Sequence, residues 1–134
     1  MSTSYKILGQ AYIGLTSYEV PGSGYGYYYG GGGSSVDENL LPVTVYTVPA
    51  GTQTVVTSIY VTNHDVVQRT YDLAVVPSGE TLAVKHHIRW DFPISANNFD
   101  VVSSKLSLGA GDSIVILPSA ADKIGISVFG LELS

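Results

Sequence analysis

From Val43 to its end the chain is written in short β-branched runs, each cut off by a turn signal, and that rhythm constrains the fold more than any other feature. Val43 to Val48 stops at Pro49-Ala50-Gly51, and Thr54 to Thr62 stops at Asn63-His64-Asp65. In the second run Val55, Thr57, Ile59 and Val61 alternate with Val56, Ser58, Tyr60 and Thr62, which is the two-residue period of a strand. Arg69 to Val76 sets Tyr71, Leu73 and Val75 against Thr70, Asp72 and Ala74, then closes at Pro77-Ser78-Gly79.

Glu80 to Val84 suits one helical turn, His86 to Phe92 reads as a strand ended by Pro93, and Phe99 to Leu108 as the next. Gly109-Ala110-Gly111-Asp112 turns the chain into Ser113 to Leu117. Pro118 to Asp122 turns it again into Lys123 to Leu133, where Ile124, Ile126 and Val128 share a face. The count is seven strands in 43–134 and an eighth near the N-terminus. No stretch of ten residues carries helical periodicity, which disfavours a parallel, helix-crossed sheet. The expected class is all-β: an antiparallel β-sandwich of seven or eight strands, with the jelly roll among its forms.

Two zones precede this core in what reads as one domain, residues 1–134. Residues 1–15 hold a strand or arm in which Tyr5, Ile7, Gly9, Ala11 and Ile13 are expected to share a face. Residues 16–42 read as a long exposed loop, because Gly22 to Gly33 contains only glycine, tyrosine and one serine. Tyrosine on a glycine background gives large contact area for few frozen torsions. Tyr18, Tyr25, Tyr27, Tyr28 and Tyr29 are therefore the candidate partner-binding residues, with a spacer folded back on the domain as the alternative.

The net charge of −5, with six lysines and arginines, argues against a nucleic-acid surface. No apolar run approaches the length of a membrane-spanning helix, and the opening residues lack the apolar stretch of a secretion signal, so the expectation is a protein that stays soluble inside the cell that makes it. With no cysteine, stability rests on packing and hydrogen bonds, helped by oligomerisation.

Candidate chemistry is sparse, and no enzyme is expected. His86 and His87 are neighbours whose side chains point to opposite faces of a strand, so one packed and one solvated histidine is the simple reading. The functional one pairs either with Asp91 or His64 at a zinc ion. Asp65, Asp72, Asp91, Asp100, Asp112 and Asp122 fall at strand ends, where aspartate is ordinary turn chemistry, and Asp37-Glu38 flank the glycine loop. Gly33 leads into Ser34-Ser35-Val36, without the lysine a phosphate loop needs, and no Gly-x-Ser-x-Gly elbow occurs. Neither a catalytic residue, a metal site nor a cofactor is assigned.

Several phrases, taken as a set, resemble small virion proteins of tailed bacteriophages, cyanophages among them. They are Ile7 to Gln10, Tyr46 to Thr52, Ser58 to Asn63, Leu73 to Gly79, Ile88 to Ile94, Leu106 to Asp112 and Ile126 to Ser134. The resemblance spans residues 5–13 and 43–134, and segment 16–42 departs from it as an insertion. It implies a non-enzymatic β-sandwich of a phage particle, in capsid decoration, neck, tail or baseplate, made in the host cytoplasm and carried in the virion. Its partners would be other virion proteins and further copies of itself, repeated as a ring or trimer about an axis. A carbohydrate-binding, receptor-binding sandwich is the alternative, since aromatic rings also stack on sugar faces.

Overall fold

The computed structural model describes residues 3–13, 41–120 and 123–134. Nine strands occur among them: β1 (Thr3–Ile13), β2 (Val43–Thr47), β3 (Gln53–Asn63), β4 (Arg69–Val76), β5 (His87–Ile94), β6 (Phe99–Val102), β7 (Leu106–Leu108), β8 (Ser113–Pro118) and β9 (Ile124–Leu133). One sheet has the order β1-β9-β3-β6, with β7 also on β3, and the other runs β2-β8-β4-β5. All pairings are antiparallel. Strands from the two ends of the chain pair in nested fashion, β1 with β9, β2 with β8, β3 with β6 and β7, and β4 with β5. This is the rolled hairpin of a jelly roll, its third return strand supplied in two pieces.

The core lies between the sheets. Ile59, Val61, Leu73, Ile114, Ile116, Ile124 and Val128 are wholly buried there, and Ile124, Ile126 and Val128 point inward together as their spacing requires. Tyr71 and Leu73 do the same from β4. The turns fall where the glycines and prolines place them. Gly79 and Gly111 both adopt positive φ, and a side chain at Gly111 would strike Ser78, so the two turns pack directly on each other. Asp112 fixes that contact by accepting the Ser78 N–H at 2.9 Å and the Gly109 N–H at 2.8 Å.

Several expectations need correction. Phe99 to Leu108 is two strands, because Ser103-Ser104-Lys105 leaves the ladder: β6 pairs with Ile59 to Thr62 and β7 with Thr54 to Val56. The chain therefore has eight described strands after residue 42, not seven. On β3 a register shift between Val56 and Ser58 changes the phase, so Thr54 and Val56 face the core before it and Ile59 and Val61 after it. A second shift, between Ile7 and Gly9, splits the proposed face of β1: Tyr5 and Ile7 point outward, whereas Leu8 and Ala11 pack on the core. Finally, the helical turn is a 3-10 turn at Val84–His86, and Pro93 lies inside β5. Proline is tolerated there because β5 is a sheet edge paired only with β4.

Candidate contact surface

The two outer faces of the sandwich differ. On the four-stranded sheet, Ala74, Val76 and Val115 form a small buried cluster roofed by Leu82, so the chain between β4 and β5 covers its own sheet. Nothing among the described residues does this for the five-stranded sheet. Its outer face carries Tyr5, Ile7, Tyr12, Tyr60 and Phe99 in exposed positions, with Tyr12 and Phe99 each 56% exposed and Tyr60 42%.

Strand register explains the relief of this face. Tyr12 opposes Gly125 and Gln10 opposes Ser127 across the β1–β9 ladder, while Tyr60 opposes Ser127 and Thr62 opposes Gly125 across β9–β3. The small residues of β9 thus form a trench between an aromatic ridge on β1 and another on β3. At Gly125 the floor has no room to spare, since a Cβ there would lie 3.0 Å from Thr62 Oγ1. The hollow bounded by Gln10, Tyr12, Tyr60, Thr62, His64, Gly125 and Ser127 has a volume of about 340 Å³. A second of about 360 Å³, between Tyr5, Tyr60 and Phe129, continues it and shares Tyr60 and Ser127.

The ridges are braced by their neighbours. Tyr60 stacks on Phe99 with centroids 6.3 Å apart and meets Phe129 edge-on at 5.8 Å, and Tyr12 meets the His64 ring edge-on at 5.6 Å. Gln10 Nε2 donates to Ser127 Oγ at 3.0 Å, and Thr62 Oγ1 lies 3.0 Å from His64 Nε2. The Thr57 hydroxyl donates to the Phe129 carbonyl and accepts from the Tyr5 hydroxyl, both at 3.2 Å. No Asp, Glu, Lys or Arg side chain stands among the described residues that form this face. Lys6 and Glu132, the charged residues of β1 and β9, lie on the inward phase and pair with each other at 2.8 Å.

The charged and titratable groups are engaged elsewhere. Glu132 also accepts the Tyr46 hydroxyl proton at 2.5 Å, and Tyr46 is 2.8 Å from Thr54 Oγ1. Burial, then the Glu132 carboxylate, push the Tyr46 phenol up to about 12, and the Lys6 ammonium first, then Tyr46, hold the Glu132 carboxyl below its ordinary range. Asp100 accepts from the Tyr71 hydroxyl at 2.5 Å and from Arg89 Nε at 3.2 Å, while burial, then Asp100, drive the Tyr71 phenol far upward. Asp65 binds Arg69 at 2.6 Å, which lowers the Asp65 carboxyl. Asp72 accepts the Asp91 N–H at 2.6 Å.

His86 is buried, accepts the Ala83 N–H at Nδ1 and sets Nε2 3.0 Å from Glu80 Oε1. His87 is half-buried against the Trp90 ring, 4.6 Å between centroids. His64 stands on the opposite sheet beside Tyr12, so the histidines and Asp91 are not gathered, and no group of three metal-ligating side chains occurs among the described residues. Tyr18, Tyr25, Tyr27, Tyr28 and Tyr29, with Asp37, Glu38 and Asp122, lie outside the described residues. No helix among the described residues is long and apolar enough to cross a membrane.

Tyr12, Tyr60 and Phe99 are not among the contact residues the sequence singles out, and Tyr5 enters there only on the N-terminal strand or arm. The usable signal is the uncharged side chains at the β1 and β3 positions that oppose Gly125 and Ser127, but the two register shifts hide which positions share a face. No family model, curated protein or solved structure matches the chain.

Proposed function

We propose that the chain is a non-enzymatic structural component of a tailed-phage particle and that the outer face of its five-stranded sheet is its assembly contact. The observation that carries the contact is an aromatic face without Asp, Glu, Lys or Arg that the described residues leave uncovered, on a protein of net charge −5 whose opposite face is partly roofed by Leu82. Aromatic residues at the centre of an uncharged patch are the usual anchors of protein interfaces. The particle itself is supported by the resemblance of the ordered phrases in 5–13 and 43–134, and the jelly roll suits repeated packing in a shell or ring.

Mass spectrometry of purified particles of the phage encoding the chain tests the reading. The chain is expected at a fixed copy number, and particles grown with Phe99→Asp are expected to carry less of it. Its absence from intact particles, or equal incorporation of that variant, overturns the reading.

A further inference from the structure

We infer that the occupant of this face is a second copy of the same chain, packed back to back through the five-stranded sheets about a two-fold axis. The inference rests on the contact-face reading above and names its partner. Two features select a copy of the chain itself. The first is charge: copies carrying −5 each repel through most approaches, and the charge-free face lets them meet without placing like charges together.

The second is shape. Tyr60 on β3 and Ser127 on β9 are cross-strand partners at one level of the sheet, so a ridge and the trench floor lie side by side. A two-fold axis parallel to the strands, over the seam between β3 and β9, exchanges these two rows and keeps their level. It lays Tyr60 of each copy over Ser127 of the other. The interface is isologous, as two-fold contacts require, and each ridge fills the trench its partner presents. Sheets packed face to face sit about 10 Å apart, the same arrangement that builds the core of each copy.

Sedimentation equilibrium of the purified full chain, with the far-ultraviolet spectrum and melting curve as fold controls, tests the pairing. The wild type is expected at twice the 14.2 kDa chain mass. Tyr60→Glu is expected to stay folded and to weaken the pair by ~100-fold or more, because it replaces a central aromatic anchor with a charge facing an apolar surface. Ser127→Arg is expected to weaken it too. Mixing the two variant chains is expected to restore a pair, since the introduced carboxylate of one then lies over the introduced guanidinium of the other, and a merely structural role for either residue predicts no such rescue.

A one-chain mass at ~1 mM overturns the inference, whether the face proves to hold a glycan, another virion protein or neither. So does a pair that survives Tyr60→Glu with its fold intact, or a mixture that fails to re-pair. A monomer that still needs Phe99 for incorporation into particles would sink the two-fold pairing and leave the contact-face reading standing; a robust pair absent from intact particles would sink the particle reading and leave the two-fold pairing standing.

Discussion

Replacing Tyr46 with phenylalanine removes one oxygen from the polar knot that ties the two sheets together at the β9 terminus. The Tyr46 proton goes to the Glu132 carboxylate at 2.5 Å, so the Thr54 hydroxyl is the donor in their 2.8 Å contact. A hydrogen bond to a charged acceptor contributes about 1.5–3 kcal/mol and a neutral one about 1 kcal/mol. Thr54, 1% exposed, loses the partner recorded for its hydroxyl, whereas Glu132 keeps Lys6 at 2.8 Å, which holds the cost to the lower part of the sum. The expected loss at pH 7 is about 2.5 kcal/mol, or roughly 8–12 °C in melting temperature for a domain of this size. Denaturant unfolding at pH 7 and again well below the ordinary carboxylate value checks it. In acid Glu132 is protonated and the charged part of the bond disappears from the wild type too, so the gap between the proteins should fall to about 1 kcal/mol. A loss below about 0.5 kcal/mol at pH 7, or one that does not change with pH, would refute the assignment.

Three further outcomes follow from the geometry. Ile59→Ala, at a fully buried position of β3, is expected to cost about 2–5 kcal/mol by guanidinium unfolding, because both sheets pack around it. Gly9→Ala is expected to loosen β1, since its new Cβ would lie 2.5 Å from the Val45 carbonyl oxygen; hydrogen exchange should accelerate in β1 and β9 while the amides of β4 and β8 stay protected. Glu132, whose carboxyl titrates below its ordinary 4.5, contributes stability that is complete above that value and lost as pH falls through the lower folded value. Melting temperature is therefore expected to drop more steeply in acid for the wild type than for Glu132→Gln.

The fold was legible because both of its signals are local. Each β-branched run between turn residues became a strand, save Phe99 to Leu108, which split into two, and Tyr71, Leu73, Ile124, Ile126 and Val128 took the inward phase their spacing dictates. Failures came where pairing overrides the local period. At Leu8 and at Thr57 the strand carries an extra residue relative to β9, and everything beyond it changes face. A bulge satisfies the partner's ladder, not the strand's own pattern, and for that reason the alternation of Thr54 to Thr62 gave no warning. The contact surface stayed hidden for the same cause: Tyr12 and Tyr60 are 48 positions apart and become the walls of one trench only through a third strand, whose Gly125 and Ser127 read in sequence as unremarkable small residues.

The placement of that trench also follows from the topology. In a rolled hairpin β9 returns between β1 and β3, so its outward residues are flanked on both sides while β1 and β6 form the margins. A small residue at an outward position of an edge strand opens onto solvent and makes no cavity, whereas at a central strand it makes a furrow as deep as its neighbours are large. Gly125 and Ser127 occupy such a central strand between Tyr12 and Tyr60. Filling the furrow should thus separate shape from chemistry: Gly125→Ala moves Thr62 by a few tenths of an ångström and leaves the face uncharged, yet shallows the floor beside Ser127. If Tyr60 of a second copy enters the trench, pairing should weaken in that variant by sedimentation while its melting temperature falls by only a few degrees. Unchanged pairing would mean that the ridges alone make the contact.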